Sequence, residues 1–114
     1  MNGTLPEGRW QEVTPSIGDT PMSFQVKDDR ISAYAGCNQM MATMEMDGDR
    51  LVIGHLASTL MACYGQDRKR EEALQNLLGG NPHVKYEGDD TLILSKGDQE
   101  YRFNKLPSLE ASKK

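Results

Sequence analysis

Apolar and polar residues alternate along several short runs of this sequence, and each run ends at turn-forming residues. Between Met40 and Met46 the even-numbered residues are apolar, whereas Thr43 and Glu45 are polar. A period of two predicts strands that bury one face and expose the other. Asp47-Gly48 predicts a tight hairpin, because both residues tolerate positive φ, and strands joined in this way pair antiparallel. The first half of the chain therefore predicts an antiparallel meander.

One segment has helical spacing instead. An i, i+3/i+4 apolar stripe predicts a helix over about residues 66–78; its members are Ala73, Leu74, Leu77 and Leu78. Asp67 is the expected N-cap, and Gly79-Gly80 ends the helix. The opposite face includes Arg68-Lys69-Arg70 and Glu71, and we expect it to be solvated.

The order of these segments predicts the α+β fold class. Five short strands precede the helix and three follow it, so about eight strands form a mostly antiparallel, strongly curved or barrel-like sheet. We expect a single domain over residues 1–106 and a flexible C-terminal tail at 107–114.

Charge and hydropathy exclude several function classes. The net charge is −4, so no positive field attracts phosphate, and we expect no nucleic-acid partner. No run approaches the roughly 20 apolar residues of a membrane helix, so we expect no transmembrane segment. The N-terminus lacks the basic and apolar regions of a secretory signal. We expect an exported protein whose signal lies outside this sequence, which the even number of cysteines favours; the alternative is a cytoplasmic protein.

Cys37 and Cys63 are the only cysteines, and both lie among small, apolar or turn-forming residues. Joined as a disulfide they would destabilise the unfolded chain by about 3–4 kcal/mol on the loop-entropy model. The alternative is a buried, reduced pair, which would suit a cytoplasmic protein.

Other chemistry has less support in the sequence. His55 and His83 are far in sequence from each other and from the cysteines, without the close ligand pairs of zinc sites, so we expect no metal. Neither cysteine has a basic residue as a sequence neighbour. We therefore predict no catalytic residue and no cofactor, and a thiol-based redox sensor or enzyme remains an alternative.

Two motifs carry a family resemblance. Gly36-Cys37-Asn38 and Thr59-Leu60-Met61-Ala62-Cys63, in this order and before an amphipathic helix, resemble the META domain family, which includes the bacterial heat-shock lipoprotein HslJ. The similar region extends from Trp10 to Phe103. Leu60 stands where relatives often carry Arg. The resemblance implies a compact β-rich domain, exported or lipid-anchored in the bacterial envelope, with no known enzymatic reaction.

The resemblance also implies a function. We expect a non-catalytic, stress-related or accessory protein of the cell envelope, monomeric, with an unidentified protein or lipid partner. An alternative is a lipid- or peptide-binding module resembling a secretion pilot protein or chaperone, which would need an apolar groove. The binding candidates for such a groove, which could equally be core residues, are Trp10, Met22, Met40, Met44 and Met46.

Overall fold

The computed structural model describes residues 5–107. Residues 108–114 of the predicted tail lie outside the described part. The described elements are nine strands and one helix: β1 (Gly8–Glu12), β2 (Ser23–Lys27), β3 (Arg30–Tyr34), β4 (Gln39–Asp47), β5 (Arg50–Ile53), β6 (Ala57–Ser58), α1 (Gly65–Gly79), β7 (His83–Glu87), β8 (Thr91–Lys96) and β9 (Gln99–Lys105). The predicted α+β class and the eight predicted strands are confirmed.

The strands close into an antiparallel barrel. Their order is β3-β2-β1-β9-β8-β7-β5-β4, and pairing of β3 with β4 completes the circle. The additional strand β6 pairs with the start of β4; its two residues are too short to show alternation in the sequence. The seam between β5 and β7 is narrow, with the single register pair Arg50↔His83, and α1 packs against β5 and β8.

Tight turns join β2 to β3 and, as predicted, β4 to β5. Asp28 and Asp29 both have positive φ, at 53° and 64°, and they join β2 to β3 with Lys27 paired to Arg30. Such φ values match the primed turns, whose twist suits antiparallel strands. Gly48, at φ 65°, occupies the corresponding turn between β4 and β5.

The barrel interior is the hydrophobic core. Phe24 packs edge-on against Phe103, with ring centroids 4.9 Å apart, and stacks with Trp10 at 6.4 Å. The alternation along β4 buries its even-numbered side chains, as predicted. All five binding candidates belong to this core and are between 0 and 8% exposed: Trp10, Met22, Met40, Met44 and Met46. Their positions favour core filling over a ligand groove.

Two expectations for α1 were wrong. Tyr64, not Asp67, is the N-cap residue, because α1 begins at Gly65; Asp67 lies in the first turn, where its carboxylate binds the Arg70 guanidinium. Arg70 and Glu71 are buried, at 2% and 9% exposed, although we expected them on the solvated face. They precede Leu74 by four and three residues, so they share its buried side of the helix. No helix in the described part is long and apolar enough to span a membrane.

Candidate functional site

The two sequence motifs meet beside the N-terminal half of α1. Cys37, in the connection between β3 and β4, forms a disulfide with Cys63, which lies just before α1. Their Cα atoms are 6.2 Å apart, in the usual range for such bonds. Both cysteines are partly buried. The bond therefore ties one corner of the barrel to the start of the helix, and the alternative of a reduced pair does not describe this structure.

Asn38 supplies most of the polar contacts between the motifs. Its Oδ1 accepts hydrogen bonds from the Met61 backbone N–H at 2.7 Å and from the Thr59 hydroxyl at 2.9 Å. Its Nδ2 donates to the Met61 carbonyl at 3.1 Å. Thr59 in turn accepts a bond from the backbone N–H of Gln39 at 3.0 Å. The buried Asn38 side chain thus makes hydrogen bonds like those of a neighbouring strand, and it fixes residues 59–61.

Glu71 orients Asn38 from the helix. Its Oε1 accepts the Asn38 backbone N–H at 2.8 Å, and its Oε2 accepts Asn38 Nδ2 at 2.9 Å. Oε1 also lies 3.8 Å from Cys63 Sγ. Within residues 5–107 Glu71 forms no ion pair, so only N–H dipoles compensate its buried charge.

Arg70 has a corresponding role on the other side of the Cys37 segment. Its Nε donates to the Ile17 carbonyl at 3.0 Å, and its Nη1 donates to the Ala35 carbonyl at 2.9 Å and to Asp67 at 2.8 Å. Gly36 lies against this guanidinium at φ +108°, where an added Cβ would be 2.7 Å from Arg70 Nη1. The motif therefore needs glycine for both conformation and space.

The segment fixed by Asn38 exposes large apolar side chains. We call residues 59–64 the apolar loop; within it Leu60 is 96% exposed, Tyr64 79% and Met61 59%. From Leu51 to Gln66 the sequence contains no Asp, Glu, Lys or Arg. Three large apolar side chains exposed within five consecutive residues make this loop a candidate interaction site.

Three potential metal ligands are brought together at the disulfide. The ligand atoms of Cys37, Cys63 and Glu71 lie within 4.8 Å of one another. In the oxidised chain the two sulfurs are bonded to each other, so they are not thiolate ligands. His55 and His83 are not in this group and are exposed; His83 instead contacts Asp49 at 3.4 Å.

Two surface pockets lie on the outer face of β2, β3 and β4. Both are lined in part by Arg30 and Ser32, and one also by Met41 and His55. None of the buried methionines lines either pocket.

Comparison with known proteins identifies the family. The sequence model of the META domain matches residues 5–107. The chain belongs to the META domain family. An NMR structure of a protein from Burkholderia xenovorans superposes on this META domain with a TM-score of 0.64 and 18% identity, covering 88% of this chain and 79% of that one. A second NMR structure gives a TM-score of 0.68 and 18% identity, covering 86% and 88%.

These structural neighbours show the fold of the META domain alone, because 18% identity carries no functional detail. A comparison with curated proteins found no match.

Sequence reasoning missed the two buried charges of the META domain and its exposed loop. Extending the apolar stripe of α1 back by one turn from Leu74 would have placed Arg70 and Glu71 on the buried side. No local sequence pattern indicates that Leu60 and Tyr64 are exposed, because their exposure depends on how Asn38 and the disulfide hold the apolar loop.

Proposed function

We propose that this META domain is a non-catalytic accessory protein of the bacterial cell envelope that binds a protein partner through the apolar loop. The observation that carries the proposal is the exposure of Leu60 and Tyr64 on a segment held by the Cys37–Cys63 disulfide and by Asn38. The stress-related role is part of this proposal and rests on family membership.

The disulfide supports an envelope location. Such bonds persist in the periplasm and other oxidising compartments, whereas cytosolic thiols are kept reduced. The Cys37–Cys63 bond closes a separation of 26 residues in a small domain, where its contribution to stability is a large share of the total. An exported protein would keep this disulfide and the stability that it contributes.

The chemistry around the disulfide supports binding over catalysis. Both sulfurs are used in the bond. Glu71 is buried and accepts two hydrogen bonds from Asn38, and Asn38 in turn holds Met61. Each polar group therefore has a role in fixing the apolar loop.

The loop composition favours a protein over a lipid partner. Tyr and Met are enriched in the cores of protein interfaces, and charged residues are depleted there. A membrane surface would be anionic, and the loop offers no Lys or Arg to it in a chain of net charge −4. Because the loop is fixed at both ends, docking would cost little conformational entropy.

The test places a photo-activated cross-linking residue at position 60 or 64 of the chain directed to the periplasm. We expect a protein adduct from both positions. The captured protein would then be purified and its affinity measured for the double variant Leu60→Ser/Tyr64→Ser. We expect a loss of at least about tenfold, since interface anchors typically contribute more than 1 kcal/mol each.

The matched control is Val13→Ser/Tyr86→Ser, which removes two apolar side chains that are 46% and 49% exposed, one just after β1 and one on β7. We expect this control to bind as the parent protein does. Equal binding by the loop variant would contradict the proposal. So would flotation of the domain with phosphatidylethanolamine–phosphatidylglycerol vesicles that depends on Leu60 and Tyr64, since it would identify a membrane as the partner.

A further inference from the structure

The surroundings of the disulfide resemble those of a metal site whose two sulfurs are joined. Cys37 Sγ, Cys63 Sγ and a carboxylate oxygen of Glu71 come from three parts of the chain and lie within 4.8 Å of one another. We propose that, once the disulfide is reduced, these three side chains form a site for a thiophilic divalent cation such as Zn²⁺, with a fourth position open to water. Thiolate and carboxylate groups are both established zinc ligands.

One of the ligand–ligand distances already suits a tetrahedral centre. Zinc bonds of about 2.3 Å to sulfur and about 2.1 Å to oxygen place those two ligand atoms about 3.6 Å apart. Glu71 Oε1 and Cys63 Sγ are 3.8 Å apart in the oxidised chain. The two sulfurs would have to separate to about 3.8 Å, which requires rotation of both cysteine side chains.

Glu71 gives the site its electrostatic basis. The carboxylate is 9% exposed, and no ion pair compensates it within the described residues. A buried charge is normally paired with an opposite charge or coordinates a metal. A cation bound between Glu71 and two thiolates would supply the positive charge that the oxidised structure lacks.

Asn38 would orient the ligands. It donates its backbone N–H to Oε1 and its Nδ2 to Oε2 of Glu71, and each carboxylate oxygen keeps a second lone pair for a metal. Nδ2 also lies 3.2 Å from Cys63 Sγ, where it would donate to a thiolate. Such hydrogen bonds to ligating groups are a regular feature of metal sites.

The chemistry balances when the reductant is a dithiol. Exchange with a protein dithiol of the thioredoxin class breaks the Cys37–Cys63 bond, leaves two protein thiols and oxidises the dithiol to its own disulfide. Binding of the cation then releases two protons, one from each thiol. The reverse exchange, with a protein disulfide as the oxidant, re-forms the Cys37–Cys63 bond, reduces that disulfide to a dithiol and releases the metal, so the two forms exclude each other.

The test uses the full chain reduced with a phosphine, which adds no competing thiol, and Co²⁺ as the probe. We expect thiolate-to-cobalt charge-transfer absorption and the visible bands of four-coordinate cobalt, both abolished by excess Zn²⁺. The oxidised protein should show neither. Glu71→Gln should weaken Co²⁺ binding by at least about tenfold, whereas the exposed neighbour variant Glu72→Gln should bind as the parent does.

X-ray absorption spectroscopy at the zinc edge, recorded on the reduced parent protein with Zn²⁺ added, gives a second readout that needs no variant. We expect two sulfur neighbours together with oxygen neighbours. Absence of thiolate–cobalt absorption, equal affinity for Glu71→Gln and the parent, or a zinc shell without two sulfurs would each overturn the proposal. If reduction unfolds the chain, the proposal is also overturned, because the two cysteines of an unfolded chain would bind a cation without the folded position of Glu71.

Discussion

The side chain of Asn38 binds both main-chain polar groups of Met61. Its Oδ1 accepts the Met61 N–H at 2.7 Å, and its Nδ2 donates to the Met61 carbonyl at 3.1 Å. This amide pairs with a loop in the way that a strand pairs with its neighbour. It is the reason that a segment without regular secondary structure can display Leu60 and Tyr64 in a fixed position.

Replacing Asn38 should therefore destabilise the domain. We expect Asn38→Ala to lower the free energy of unfolding by about 2–4 kcal/mol, because it leaves the buried carboxylate of Glu71 and the backbone of Met61 with fewer partners. Urea unfolding measures the change. Asn104→Ala, at an exposed site with one side-chain bond to Thr91, should change it by no more than about 0.5 kcal/mol. Equal effects of the two variants would contradict this assignment.

Arg70 and Arg68 are two residues apart but should differ greatly in importance. Arg70→Met leaves the carbonyls of Ile17 and Ala35 without their buried donor, and we expect a loss of about 2–4 kcal/mol. Arg68→Met removes an exposed ion pair with Glu72 and should cost about 0.5 kcal/mol or less. Thermal or urea unfolding of both variants makes the comparison. A small effect of Arg70→Met would show that water replaces the guanidinium.

Gly36 and Gly48 allow a matched test of backbone strain. Both have positive φ. A Cβ added at Gly36 would lie 2.7 Å from Arg70 Nη1, whereas a Cβ added at Gly48 would meet nothing within 4 Å. We expect Gly48→Ala to cost about 1 kcal/mol from conformation alone. Gly36→Ala should cost about 2–4 kcal/mol, because the guanidinium is fixed by its hydrogen bonds and cannot retreat freely. Equal unfolding free energies would remove the role given to Arg70.

Removing the disulfide should cost most of its chain-entropy contribution. We expect Cys37→Ala/Cys63→Ala to lose about 3–4 kcal/mol in equilibrium unfolding, because a separation of 26 residues is no longer constrained in the unfolded chain. Adding a phosphine should destabilise the parent to a similar degree and leave the double variant unchanged. A variant as stable as the parent would mean that the bond strains the native state.

Tyr101 gives a prediction for alkaline pH. Burial, with a smaller contribution from the negative charge of Glu12, raises the pKa of Tyr101 above its ordinary value of 10.0. Since the folded-state pKa exceeds the unfolded one, this contribution to stability is complete below the unfolded pKa and is lost as pH rises through the folded pKa. Unfolding midpoints at about pH 9 and pH 11 should fall less for Tyr101→Phe than for the parent. Equal declines would contradict the shift.

The strands could be predicted from sequence because their signal is local. Alternation along β4 and the Asp28-Asp29 and Asp47-Gly48 turns each depend on neighbouring residues only. The Cys37–Cys63 disulfide was predicted only as one of two alternatives, because sequence alone does not show the distance between two cysteines. The two-residue β6 gave no pattern at all.

The contacts of the candidate site could not be predicted in the same way. The Asn38 side chain bonds to Met61 and Glu71, which are 23 and 33 residues away, and no local sequence pattern indicates such partners. Arg70 and Glu71 resembled surface charges because ionic side chains are rarely buried. Only the folded chain shows that each has polar partners inside.

The order of the strands around the barrel bears on the sequence of events in which this chain can fold. β1 pairs with β9, so the first and last strands are neighbours and the barrel cannot close until the last strand is in place. Cys37 and Cys63 both precede β7, so the disulfide can form before the last three strands have paired. The covalent cross-link can thus precede closure of the barrel, which then takes place in a chain with fewer accessible conformations.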